Sequence, residues 1–490
     1  MKYKIIATAF LYSYLLLFTA CNVSNQNQIA EGSGGGIGGT GIAIGRINAF
    51  GSIIVNGIEF NTDNATFIRD NRTVSSQTAY AVGERISITG LIDSVSNTGT
   101  AYKVVFSNLI EGPVTSKPAL LSTNIEVMGQ TIHTNNLTVL HGFSLLSDVA
   151  LADILEVSGF IDANGIIQAS SITLKKQAPH AFEIKGKISN LDLSKQTFTI
   201  NTLQIDFSNA PINTSSGQLA EGQTVVITGQ TFFNNTLFAI TVTEEVINTL
   251  PSGTKIEVEG IITRFASATD FDLNGRPIII TTDTIFKDGA INALKLNAAI
   301  EVEGISNANG ILVADSIELE QTENLLKIEA LIESIDYENK TLVLFGQTIQ
   351  VDQSTILFDE SIQDVKQLNL NQFTVGEYID AKFQEDNDGN FLAIRLNREN
   401  EEKLTGTNIT KIGFKGTVHN INETAGSLTL FGIQMLTNEN TVYRNEQEQP
   451  IDKAILFAAI EEDVTLVEIE GEAVGNNTIL IHSLLVDLTL

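Results

Sequence analysis

"AAIEVEG", residues 298 to 304, alternates apolar and acidic residues and closes on glycine. A period of two marks a strand with one buried face. The pattern recurs as "ERISITG" (84 to 90), "DILEVSG" (153 to 159), "QTVVITG" (223 to 229), "EYIDAKF" (377 to 383) and "VTLVEIEG" (464 to 471). Its last positions, 90, 159, 229, 304, 383 and 471, are spaced by 69, 70, 75, 79 and 88 residues. Six units follow, each too long for a solenoid turn of 20 to about 50 residues.

Two further signals keep step with this anchor strand. Upstream of each lies a hairpin-like stretch, such as "VNGIEF" (55 to 60), "LNGRPIII" (273 to 280) and "LFGQTIQV" (344 to 351). Downstream comes a closing strand, as in "GIIQASSITL" (165 to 174) and "GILVADSIEL" (310 to 319). Between hairpin and anchor runs a variable segment, helical in pattern at "PIDKAILFAAI" (450 to 460). A strand, a hairpin, a short helix or loop and two more strands make the layout of the OB-fold, a five-stranded Greek-key barrel. A flat sandwich of the same strands fits the periodicity too. The expected fold is all-β with short helices, a tandem array of about six small OB-like barrel modules. Their expected bounds are 41–112, 113–178, 181–245, 246–321, 325–398 and 408–490, set as separate beads in an extended acidic string.

The N-G-type hairpin, the strand ending "V-E-G" or "I-T-G", and the closing "L-x-A-x-x-I" at Leu312, Ala314 and Ile317 resemble the bacterial domain of unknown function 5666. The opening "GGIGGTG" followed by "GRINAFGSIIVNGIEF" is similar to the start of envelope lipoproteins that carry it. The resemblance spans roughly residues 34 to 490. It implies repeated barrel-like modules on the envelope and supplies no catalytic residues. Phe383 departs from the pattern by replacing the anchor glycine.

The lone cysteine bears on location. "MKYKIIATAFLYSYLLLFTAC" has basic Lys2 and Lys4, an apolar run from Ile5 to Phe18, then Thr19 and Ala20 before Cys21. This is the layout of a secretory signal peptide over residues 1–20. Ending on cysteine, it resembles a lipoprotein lipobox, which implies a lipid on the Cys21 sulfur. Asn22 in place of Asp resembles an outer-membrane address. Residues 21–40 read as a glycine-rich tether. "GSGGGIGGTG" (32 to 41) holds two overlapping G-x-G-x-x-G matches, but no buried strand precedes it and an alternating strand follows. A dinucleotide loop needs the opposite flanks, so these glycines read as tether and strand entry.

With 58 acidic against 29 basic residues the net charge is −29, which disfavours nucleic acid and anionic lipid surfaces. "DFDLNG", Asp270 to Gly275, matches the opening of a calcium loop, with Asp270, Asp272 and Asn274 as ligands. Its twelfth position is Thr281, where a bidentate Glu is required, and Asn274-Gly275 aligns with the Asn56-Gly57 hairpin turn. "EDNDGN" places Asp386 and Asp388 on one turn, a second calcium candidate. Both read first as solvated turns. His133, His141, His180, His419 and His482 show no metal-ligand spacing, although His133 and His141 could converge across a hairpin. No cofactor, acid–base pair or nucleophile elbow is legible, so an enzyme is not expected. The expected role is structural or binding, at the membrane through the lipid and toward a protein or glycan partner of the envelope. The alternatives are an enzyme with a site at a module junction and a divalent-cation-binding surface protein.

Overall fold

The computed structural model describes residues 39–486 apart from 94–95, 120–121, 177–180, 246–249, 288–289, 321–323, 362, 364, 387, 400–411, 446–448 and 476. Six modules follow one another. Their opening strands are Gly39–Ala49, Ile110–Ser116, Phe182–Lys187, Lys255–Ser267, Leu326–Asp336 and Ile412–Thr417. Their anchor strands are Arg85–Asp93, Ile154–Ile161, Thr224–Phe233, Ala299–Ser306, Tyr378–Glu385 and Leu466–Gly475. The closing strands Thr98–Phe106, Ile167–Lys175, Thr236–Glu244, Leu312–Leu319, Phe391–Arg398 and Thr478–Val486 complete them.

In module 1 the opening strand pairs with the hairpin Ile53–Val55/Ile58–Asn61, the hairpin pairs in parallel with the closing strand, and the anchor strand joins closing to opening. That ring of five strands has no free edge, so the barrel removes the unpaired backbone groups an open sheet would expose. Modules 2, 4 and 5 close by the same pairings. In modules 3 and 6 the opening strand breaks, at Ile188 and Val418, and resumes as Ser189–Asp192 and His419–Asn422. The segment predicted as helical in module 6 is the helix Lys453–Ala459, capped by the Asp452 side chain.

The glycine that ends five of the six anchor runs sits at a β-bulge. Register slips between Thr89 and Gly90, Ser158 and Gly159, Thr228 and Gly229, Glu303 and Gly304, and Glu470 and Gly471. A Cβ at Gly90 or Gly304 would collide with the carbonyl of Thr100 or Val313 on the closing strand. Glycine is therefore a requirement of close backbone approach. Opposite the bulge stands Ala169, Ala314, Ala393 or Ile481, and its carbonyl accepts a hydrogen bond from a threonine of the variable segment. The donors are Thr138, Thr284, Thr355 and Thr441, at 2.7 to 2.8 Å. Each of these hydroxyls also accepts the backbone N–H three residues earlier.

The modules are not beads. Three thirteen-stranded sheets join them in pairs, 1 with 4, 2 with 3 and 5 with 6, and residues 38–490 form one compact unit. Paired residues on neighbouring strands project to the same face, so register decides how two barrels meet. Between modules 2 and 3 core residue Ile110 pairs with core residue Ile184, and between 5 and 6 Ile328 pairs with Phe414. Both barrels then lie on one face, and each pair shares a continuous core. Modules 1 and 4 pair in parallel with Ile42 beside Ile256 and Ala43 beside Glu257. Ala43 belongs to the core of module 1 and Ile256 to that of module 4. The one-residue offset puts the two barrels on opposite faces with separate cores.

Module 1 is the hub. Its Phe50 N–H donates to Leu368 O, and Asn48 donates to Ser354 O at 2.7 Å, both in module 5. Toward module 2, Arg85 N–H donates to Ser158 Oγ, and the buried His141 donates from Nε2 to Val82 O at 2.8 Å. Val139 of module 2 and Ile356 and Phe358 of module 5 complete its core.

The shared core predicts that residues 109–245 unfold as one cooperative unit, whereas residues 181–245 alone give no cooperative melt by circular dichroism. Thr355→Val leaves the buried bulge carbonyl without its donor and is expected to cost about 1–3 kcal/mol in urea denaturation of the full chain, with Thr355→Ser recovering most of it.

Candidate functional site

Four modules meet at a polar cavity of about 120 Å³. Module 1 lines it with Arg46, Asn48 and Asn56, module 2 with Leu137, module 4 with Glu259, Glu301, Glu318 and Glu320, and module 5 with Ser354 and Gln384. The alternation that builds the barrel of module 4 also builds this wall. With Ile256, Val258, Ile300 and Val302 turned into its core, the intervening glutamates must face outward. The strand register then sets Glu259 opposite Glu301 and Glu301 opposite Glu318, and Glu257 opposite Glu303. Like charges directly opposite destabilise a sheet, so the wall needs protons or cations.

Arg46 supplies one cation. Its backbone N–H donates to Glu259 Oε2 at 2.9 Å, and its guanidinium lies 3.0 Å from Glu259 Oε1 while also pairing with Glu320. Glu318 pairs with Lys287 at 3.0 Å, and Glu303 with Lys255 at 3.0 Å. Burial, reinforced by Glu257 and Glu318, pushes the carboxyl of Glu301 up to about 8. Burial and then Glu303 push Glu257, 8% exposed, to about 8 as well. Both carboxyls are thereby biased toward the protonated form, and the rest of the wall is paired. Chemically the arrangement is an ion-pair lock with a neutral acid beside it. The cavity has room for about four waters, well below the roughly 300 Å³ of a typical small-molecule pocket.

The sequence candidates lie elsewhere. Asp270 and Asp272 both accept from the Arg264 guanidinium at 2.7 Å. Asn274 sits at φ 49° in its hairpin turn, where its side chain accepts from Ile261 N–H and donates to Glu259 O. Asp386 Oδ1 accepts the backbone N–H groups of Asp388 and Asn390, which closes the turn between anchor and closing strands. Among the described residues no group of three or more His, Cys, Asp or Glu side chains is placed to hold a metal ion. His133 and His141 lie on different short strands that meet the closing strand beside Gln168 and Thr173, five residues apart, so they do not converge. His419 pairs with Asp463, and His482 lies 3.6 Å from Glu472. Cys21, His180 and the glycines up to position 38 lie outside the described residues.

Residues 43–104, 111–173, 259–318 and 329–397, together just over half of the chain, match the family described as a domain of unknown function (DUF5666). The chain belongs to the DUF5666 family. The matched stretches are modules 1, 2, 4 and 5, the four whose barrels close around an unbroken opening strand. Among curated proteins none matches the sequence. Two solved structures show a distant likeness. Drosophila Unr CSD456 is 14% identical, with 44% of this chain and 98% of that one covered and a TM-score of 0.12. A multidomain protein with nucleic acid binding domains from Streptococcus pneumoniae TIGR4 is 8% identical, with 46% and 72% covered and a TM-score of 0.12. At such scores neither informs the fold or the function here.

Sequence reading missed Arg46 and the glutamate wall as a site. The available signal was the repeated I-E-V-E-G of "KIEVEG" and "AIEVEG" in adjacent strands of one module, which stacks four carboxylates on one face.

Arg46 and Glu259 are 8% and 5% exposed, so removing one partner strands a buried charge. Arg46→Met is expected to cost about 3–5 kcal/mol in urea denaturation, and adding Glu259→Gln to it should recover part of that loss. Equal stability of the single and double variants would remove the ion pair from the account of this junction.

Proposed function

We propose that this DUF5666 protein is an outer-membrane lipoprotein, lipidated on Cys21, whose six-module body is a rigid acidic platform with a structural or binding role in the envelope. The observation that carries the reading is the N-terminal sequence: a basic start, one apolar run, two small residues and the chain's sole cysteine. Eighteen positions separate Cys21 from the first strand at Gly39, which bounds the covalent reach from anchor to body at roughly 60 Å. Among the described residues no helix is long and apolar enough to cross a membrane, so in this reading attachment rests on the lipid.

The pairing of modules distant in sequence supports a platform over a string. A string would bend at each linker, whereas the parallel pairing of Gly41–Ile44 with Lys255–Val258 ties the first module to the fourth. The excess of acidic residues favours a neutral or basic partner, protein or glycan, over nucleic acid. The junction cavity, at about 120 Å³, supports an ion-pair lock better than an enzyme's substrate site.

Cys21→Ser tests the anchor. The variant should leave the membrane pellet for the soluble fraction after a high-salt wash and fail to incorporate labelled palmitate, while its circular dichroism melt matches that of the parent body. Retention of the Ser variant in the washed pellet would rule out the lipid as the attachment.

A further inference from the structure

We infer that the joint between modules 2 and 3 is a proton-gated latch, closed while the Glu111–Glu183 pair holds a proton and loosened when both carboxylates are charged. The strand seam between these modules consists of two residue pairs, Ile110 with Ile184 and Glu111 with Glu183. One further backbone bond, Lys185 N–H to Leu109 O at 2.8 Å, secures it. Half of the residue pairs in the seam are therefore two acids set directly opposite, with Cβ atoms about 5 Å apart. On the other side of Glu111 the anchor strand of module 2 places Glu156, so three carboxylates run in a row across three strands.

The neighbouring cations bond other acids more closely than they approach this pair. Arg69 of module 1 bonds Glu84 at 2.9 Å and also Glu156. Lys175, on the closing strand of module 2, bonds Glu156 at 2.9 Å and stands 3.8 Å from Glu111. Lys185, on the strand of Glu183 itself, bonds Glu245 at 2.5 Å. On the anchor strand of module 3 the residue beside Glu183 is the neutral Thr228. Asp70, next to Arg69, adds a further acid to the cluster and bonds Asn108. Among the described residues no Lys, Arg or His lies within ion-pair distance of Glu183.

The seam closes by desolvating both carboxyls, so their protonation follows its geometry. Burial pushes Glu111 up to about 7 against the pull of Lys175, with Glu156 and Asp70 raising it further. Burial, then Asp70, Glu111 and Glu156, push Glu183 to about 7. In the unfolded chain both titrate near 4.5. The closed joint thus binds more protons than the open one, and its stability falls as pH rises from 4.5 through about 7. The shared core holds the two modules together throughout, which confines the loosening to the strand seam.

Hydrogen exchange of the full-length protein, read by mass spectrometry as protection factors corrected for intrinsic rates, tests the latch. Between about pH 6 and about pH 8.5 the wild-type segments 109–113 and 182–186 should lose protection by about tenfold, equivalent to one pKa unit of coupling. The isosteric pair Glu111→Gln with Glu183→Gln should show no such loss, and Glu183→Gln alone a smaller one. Wild-type protection that stays level across that range, or an undiminished loss in the double variant, would overturn the proposal.

Discussion

Everything in this protein hangs on the close backbone contact where the anchor strand crosses the closing strand. There the glycine has no room for a Cβ, the register slips by one, and in modules 2, 4, 5 and 6 a threonine hydroxyl donates to the carbonyl opposite the bulge. The bulge bends and twists the strand enough for a five-stranded sheet to curl onto itself. Without it the alternating strands would make an open sheet with two sticky edges. Module 5 is the instructive exception. Phe383 keeps the bulge but sends its ring into the core shared with module 6, 4.8 Å from Phe391 and 5.6 Å from Phe431. Glycine is replaceable where a neighbouring barrel provides space for the ring.

A second constraint, strand parity, decides how barrels combine. Core residue beside core residue fuses two modules, as in 2 with 3 and 5 with 6. A slip of one residue keeps them apart, as in 1 with 4, and turns the outward glutamates of module 4 toward module 1. Burying those carboxylates costs free energy unless cations or protons accompany them. Module 1 delivers Arg46 to one such cluster and Arg69 to another, which makes it an electrostatic hub as well as a packing one.

How much of this was legible follows from the range of each signal. The six anchors, the Asn-Gly hairpins and the Gly/Ala bulge partners are local patterns, and they specify the barrel repeat that the structure shows. The threonine stitch was present as "NNLT", "TTDT", "DQST" and "NENT", but its distance from the anchor varies with the variable segment, so it kept no visible period. The pairing of modules was not legible at all. It depends on which outer strand faces meet, and the outer face of "GIAIGR" (41 to 46) looks no different from that of any half-buried strand. The calcium reading of Asp270 and Asp272 omits Arg264, six and eight residues away, which cross-strand pairing sets opposite Asp272 and within reach of Asp270.

A chain with twice as many acids as bases can still be compact because several of its cations are spent at seams. Arg46, Arg69, Arg395 and Lys175 each bridge groups that belong to a junction, and Arg395 of module 5 donates to the carbonyls of Asn136 and Thr138 in module 2. Surface acids, far apart and hydrated, cost little at physiological salt. Seam acids are close and wholly or partly buried, so each must find a cation or keep a proton. Where cations are scarce, at Glu183 or at Glu257 and Glu301, the proton is the remaining partner, and Glu111 has only a share of Lys175. The acidic composition therefore ties the cohesion of the modules to pH at the same strands whose alternation builds the barrels.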